Sequence, residues 1–214
     1  MKKASLKGFK GQQDNFAFER ALYNRGYNAV AGCDEAGRGP LAGPVVAACV
    51  VLPQDCDHSL FLDSKILNHS RRVALAAHLR DLDAAIGIAA VTAEEIDRIN
   101  ILQASLLAMK LAVENVTAVR PDFVLVDGKF SAPVPIAQEP LVKGESKSGS
   151  IAAASIIAKV ERDRIMSNWH ERFPAYRFDK NKGYPTKEHR LAIQANGICP
   201  IHRKTFKGVK EYVK

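Results

Sequence analysis

The segment VAGCDEAGRGPLAGPVVAACVVL, residues 30–52, restricts the possible folds of this chain more than any other. An apolar run leads into two adjacent carboxylates, Asp34 and Glu35. A glycine-rich basic turn follows, Gly37-Arg38-Gly39-Pro40, and a second apolar run, Val45 to Leu52, closes the unit. The pattern predicts strand, sharp turn, strand, with the acids where the first strand ends. The Gly39–Pro44 link is too short for a parallel crossover, so the pair is expected to be antiparallel. Two negative charges beside a hydrophobic core are costly unless a cation neutralises them, which makes a divalent ion the natural partner. Neighbouring side chains on a strand point to opposite faces. Asp34 and Glu35 therefore share an ion only if the backbone leaves the strand there, as Ala36-Gly37 allows.

Strand and helix patterns alternate downstream. Asp14 is placed to cap a short helix reaching Arg25, with Gly26 as its stop. Strands are predicted near 28–34, 45–52, 84–91, 122–127 and 134–138. Ser70 is the expected cap of the helix RRVALAAHLRDL, and Thr92-Ala93-Glu94-Glu95 reads as a capping box. Ile101 to Val119 reads as a periodic helix stopped by Pro121. Ser148 to Glu171 is a long helix whose first half, IAAASIIA, is small and apolar nearly all round, so it must pack deeply against the sheet. Such alternation argues an α/β layer fold with a mixed sheet. Residues 1–12 read as a basic arm, 13–172 as the main domain and 173–214 as a basic, mostly helical extension.

The formal net charge of +8 is unevenly placed. Lys2, Lys3, Lys7 and Lys10 lie in the arm without an acid, and residues 177–214 hold ten Lys or Arg against Asp179, Glu188 and Glu211. Basic ends on a slightly acidic body suit a polyanion gripped by the flanks. Cys33, Cys49, Cys56 and Cys199 show no C-x-x-C pairing and no metal-ligand spacing with His, so free thiols in a reducing compartment are expected. The basic start lacks the apolar stretch of a secretory signal. The longest apolar run, Leu41 to Pro53, is too short to span a membrane. A cytoplasmic protein is expected.

DFVLVD ends in Asp127 before Gly128, as the first strand ends in Asp34 before its own turn. If both strands run parallel, the two acids reach one edge of the sheet, where open α/β folds place ligands. Glu145 follows in KGESKSGS, immediately before the long helix. Asp34, Glu35, Asp127 and Glu145 thus form a candidate set at one rim. Oxygen donors without organised His or Cys favour Mg²⁺ or Mn²⁺ over zinc. Two such ions about 3.5–4 Å apart suit phosphodiester hydrolysis. Any one strand-end Asp is most simply a turn former, but four acids at consecutive element ends fit that explanation poorly. Gly37-Arg38-Gly39 can present N–H groups and a guanidinium to a phosphate or sugar, although tight hairpins use the same residues. Tyr184, amid Lys180, Lys182 and Lys187, suits stacking on a sugar or base. Asp163, well inside the long helix, is assigned a helix ion pair, and Trp169 and Phe173 the core.

Four segments, DEAGRGPLAGPVV at 34–46, VDGK at 126–129, KGESKSGSIAAASIIAKVERDRIM at 143–166 and NKGYPTKEH at 181–189, resemble the bacterial type 2 ribonucleases H, the ribonuclease HII family, and stand in its order. The resemblance implies the ribonuclease H fold: a five-stranded mixed sheet flanked by helices, with a small C-terminal helical extension. It implies a monomeric metal-dependent endonuclease that removes ribonucleotides from DNA. Its substrates would be RNA–DNA hybrids and duplex DNA holding single ribonucleotides, cut on the 5′ side of the ribonucleotide to leave 3′-hydroxyl and 5′-phosphate. It assigns catalytic metal binding to Asp34, Glu35, Asp127 and Glu145. Gly37, Arg38 and Gly39 would read the ribose 2′-hydroxyl, Tyr184 would meet the following deoxyribose, and Lys65 and Ser146 would contact phosphate. His189 also matches a family position. Arg38 and the short arm separate the chain from the type 3 enzymes, which usually carry lysine in the turn and an added N-terminal domain.

Two positions depart from the family pattern: Glu145 stands where aspartate is usual, and Ile66 where DSKKL has lysine. The rival reading is a hybrid-binding module that kept the fold and lost its chemistry through Glu145. A dinucleotide enzyme would need G-x-G-x-x-G at a strand-to-helix junction, whereas this glycine turn lies between two predicted strands. Glu is one methylene longer than Asp, and Mg²⁺ tolerates little distortion of its octahedron. Glu145→Asp is therefore expected to raise the Mg²⁺-supported rate more than the Mn²⁺-supported one; unchanged rates with both ions would refute the defect.

Overall fold

The computed structural model describes residues 14–61, 64 and 67–213; the expected arm 1–12 and Lys65 lie outside them. The elements in chain order are α1 (Ala17–Tyr23), β1 (Val30–Ala36), β2 (Val45–Val51), α2 (His69–Asp81), β3 (Ala85–Val91), α3 (Ala93–Ile99) and α4 (Ile101–Glu114). Then come β4 (Phe123–Asp127), β5 (Ala137–Leu141), α5 (Gly149–Arg172), α6 (Phe178–Asn181) and α7 (Lys187–Asn196). The five strands form one mixed sheet in the order β3-β2-β1-β4-β5. β1 is antiparallel to β2 and parallel to β4, as the sequence patterns imply.

Strand alternation divides the apolar side chains between two helical layers. Ala31 and Cys33 of β1 and Ala47 and Cys49 of β2 pack against Ala104, Ala108 and Ala112 of α4. Ala48 and Val50 face the other way, against Leu75 and Leu79 of α2 and the apolar half of α5. β2 is buried along its whole length, which is why its sequence is continuously apolar. Ile151, Ile156 and Ile157 of α5 are essentially fully buried, each contributing roughly 1.5–3 kcal/mol. The small residues around them let this helix come close. A Cβ on Gly32 of β1 would lie 2.1 Å from the Ile151 nitrogen and the Ser150 carbonyl carbon, so helix backbone rests on strand backbone there.

Several boundaries differ from the sequence expectation. α1 starts at Ala17, because the Asp14 carboxylate is taken by the Phe16 N–H and by Arg20. α2 is capped by Asn68, whose Oδ1 accepts from the Arg71 N–H at 2.8 Å, leaving Ser70 inside the first turn. Thr92 caps α3, but Glu95 pairs with Arg98 instead of reaching back to complete the box. α4 ends at Glu114, where the Asn115 side chain donates to the Ile88 carbonyl of β3 at 2.9 Å. The last strand is Ala137–Leu141 instead of 134–138, since pairing with β4 sets its register while Val134 and Ile136 pack on the α4 layer.

The C-terminal segment has its own apolar cluster, including Tyr176, Phe178, Ile193 and Ile201, which also takes in Leu41 and Ala42 of the β1–β2 link. Trp169 and Phe173 pack at its edge with ring centroids 5.9 Å apart. All four cysteines are free, and no helix among the described residues is long and apolar enough to cross a membrane. Because α5 touches β1 through backbone, Gly32→Ala is expected to destabilise the fold by about 3 kcal/mol. Urea unfolding measures this, and an unchanged midpoint would contradict the contact.

Candidate active site

Parallel pairing brings the first two acids together. Cys33 of β1 stands opposite Val126 of β4, so the next residues on each strand, Asp34 and Asp127, emerge side by side. The third arrives from the turn before α5. The Gly144 N–H donates to Asp127 Oδ1 at 2.7 Å, tying that turn to β4, and Glu145 follows within it. Carboxylate oxygens of Asp34, Asp127 and Glu145 lie within 4.8 Å of one another. Burial, followed by the charges of Glu35, Asp127 and Glu145, pushes the Asp34 carboxyl well above the ordinary carboxylate range.

Glu35 is not part of this group. β1 stays extended through Ala36, so strand alternation persists and turns Glu35 away from Asp34. Arg38 Nη1 meets Glu35 Oε1 at 3.2 Å, although Glu35 still lines the same cleft. Burial raises its carboxyl too, and Arg38 opposes that shift. Of the expected phosphate contacts, Ser146 is exposed and its hydroxyl donates to the Lys143 carbonyl at 2.9 Å. Asp163 pairs with Lys159 at 2.7 Å within α5, as expected.

The glycine turn lines the same cleft, and two fully buried arginines hold carbonyls of the turn and of the segments beside it. Arg162 of α5 donates to the carbonyls of Ala42, Pro44 and Lys182. Gly37, at φ +101°, must be glycine, since a Cβ there would lie 2.0 Å from Arg162 Nε. Arg203 donates to the carbonyls of Gly37, Arg38 and Gly43. Tyr184 is 41% exposed, and its ring stands 5.9 Å from Lys159 Nζ. Its backbone is anchored through a buried histidine pair. The Cys199 N–H donates to His202 Nδ1 at 2.9 Å, the two Nε2 atoms meet at 3.1 Å, and His189 Nδ1 lies 2.9 Å from the Tyr184 carbonyl. A single neutral tautomer chain satisfies all three contacts: His202 protonated on Nε2 and His189 on Nδ1. His189 is thus a support for Tyr184 and does not line the cleft.

Sequence reasoning missed Arg72, Arg162, His202 and Arg203. Arg72 of α2 lines the cleft and donates to the carbonyls of Ser64 and Leu67. Each looks in the sequence like a surface cation or a spare histidine. Only the lack of an acid near Arg203 hinted that it bonds to backbone.

The family model for ribonuclease HII matches residues 31–209. A ribonuclease HII of Desulfotalea psychrophila is 62% identical over 94% of this chain and 90% of its own length. That of Geobacter sulfurreducens is 52% identical over 92% and 90%. Among solved structures, the ribonuclease H2 of Pyrococcus horikoshii superposes with a TM-score of 0.71 at 27% identity, covering 86% of this chain and 97% of that one.

Repulsion within the acidic group weakens the fold when no cation is present. In ion-free buffer, Asp34→Asn is expected to raise stability by roughly 1 kcal/mol or more and to abolish the rise in Tm that divalent ions give the wild type; a less stable variant would contradict this. A second expectation concerns acid. Burial, reinforced by His189, lowers the His202 pKa from 6.5 to about 4. Between these values the unfolded chain binds a proton that the fold refuses. The contribution is fully present above about 6.5 and is lost as pH falls towards about 4. Thermal unfolding across this window should fall off more steeply for wild type than for His202→Gln, and parallel curves would be evidence against a neutral pair.

Proposed function

The chain belongs to the ribonuclease HII family and is a divalent-metal-dependent ribonuclease H, and on that premise we propose that Asp34, Asp127 and Glu145 hold its catalytic ion. The observation that carries the assignment is the meeting of these carboxylates with the glycine turn and Tyr184 in one cleft. The donor set fits a hard cation. It is all oxygen, clustered and largely buried, and the resisted ionisation of Asp34 is what a bound charge of +2 would relieve. When bound, the ion activates a water and stabilises the leaving oxygen of the phosphodiester.

The protein's own groups bind and orient. Gly37, Arg38 and Gly39 read the ribose 2′-hydroxyl, and Tyr184 stacks against the next sugar. Glu35, paired with Arg38 in the same cleft, serves a second ion. Lys65, Ser146 and the cleft-facing Arg72 and Lys159 meet phosphates. Mg²⁺ and Mn²⁺ both suit the donors, with Glu145 favouring the more tolerant Mn²⁺. The domain of residues 13–172 carries the chemistry, and the basic segments 1–12 and 173–214 grip the duplex. The protein works as a monomer in the cytoplasm, removing ribonucleotides from DNA.

The test is a DNA duplex carrying one ribonucleotide, incubated with Mg²⁺ or Mn²⁺. A single nick is expected on the 5′ side of the ribonucleotide, leaving 3′-hydroxyl and 5′-phosphate, with Asp127→Asn slower by at least about a hundredfold. Binding without nicking would select the hybrid-binding module instead.

A further inference from the structure

We propose that Arg203, which does not line the cleft, is the positioning residue that gives the glycine turn its selectivity for ribose. The inference rests on the reading of that turn given above.

Arg203 is fully buried, and among the described residues it makes no ion pair. Its fork is spent on backbone: Nε donates to the Gly43 carbonyl at 3.0 Å, Nη1 to Arg38 at 2.8 Å and Nη2 to Gly37 at 2.5 Å. Its own N–H donates to the Leu41 carbonyl at 2.8 Å, and its guanidinium sits 5.0 Å from the Phe206 ring centroid. For stability alone this is a poor choice, because an apolar side chain of similar volume would avoid burying a charge.

The arrangement orients two consecutive peptides. In a trans peptide the C=O and N–H point in opposite directions. With the Gly37 and Arg38 carbonyls drawn inward onto Arg203, the N–H groups of Arg38 and Gly39 are turned outward, towards the cleft these residues line. Two adjacent donors are thereby aimed at a ligand oxygen. The cation behind them polarises both peptides and strengthens the N–H groups as donors. A sugar hydroxyl can accept from such a pair, and a deoxyribose offers nothing there. Lysine, a point charge on a flexible stem, cannot span three carbonyls.

The experiment compares Kd for matched duplexes, one all-deoxy and one with a single ribonucleotide, with Ca²⁺ present to permit binding. Wild type should prefer the ribonucleotide duplex. Arg203→Lys should lower that preference at least fivefold and raise KM for cleavage, with all-deoxy affinity within twofold of wild type. Phe206→Leu, which keeps the guanidinium but removes the ring behind it, should shift the ratio in the same direction by less. Ile193→Val, a change in the same apolar cluster, should leave the ratio unchanged at a comparable loss of Tm. If Arg203→Lys does not fold, the ratio for Phe206→Leu decides. A wild-type preference retained in the variants, or both affinities falling together, would overturn the role of Arg203 alone. A wild type with no preference would overturn the reading of the turn and this inference with it.

Discussion

Helix backbone meets strand backbone where the first turn of α5 crosses β1 at Gly32, with no room for even a methyl group. Asp34 lies two residues further along the same face of β1, and Glu145 lies in the turn that leads into α5. The distance between two acids from far-apart parts of the chain is therefore set by rigid backbone. Buried groups secure the junction. Glu19 of α1 accepts from the Ser148 hydroxyl at 2.6 Å and the Ser150 N–H at 3.0 Å, and the Gly149 N–H donates to the Asn15 carbonyl. The N-terminal segment thus clasps the start of α5, as the parallel pairing of β1 and β4 secures Asp127.

The cleft joins buried acids to a glycine turn braced from behind. Three carboxylates crowd together there, and burial with the neighbouring acids makes the ionisation of Asp34 costly. The turn is backed by Arg162 and Arg203, whose guanidinium groups bond carbonyls and, among the described residues, make no ion pair. With their donors committed to backbone carbonyls, these arginines hold the turn in place beside the acids. The apolar layers on both faces of the sheet bear the energetic cost of this arrangement.

Most of the element order was legible in the sequence, because hydrophobic periodicity reports directly on which face of an element is buried. The acids at 34, 127 and 145 were legible for a related reason, the first two standing where an apolar run ends and the third just before one begins. Two of the misjudged boundaries were set by partners distant in sequence. Asn115 ends α4 through a carbonyl of β3, and β5 takes its register from β4. Glu35 was misplaced because nothing local revealed that β1 stays extended through Ala36. Arg162 gave no signal and Arg203 only a faint one, since a buried arginine whose partners are carbonyls looks in sequence like any surface cation.

By itself, the sequence determined the layer architecture, the antiparallel start of the sheet, the acidic rim and the family, because local patterning and contiguous motifs carry that information. Only the tertiary structure decided which of the four acids meet, which cations are buried, and how the turn and Tyr184 are braced from the C-terminal segment. These outcomes depend on contacts that local patterning does not report, some between residues more than a hundred positions apart, such as Arg203 with Gly37 and Arg38. Their energies arise only when the layers have closed and water has left.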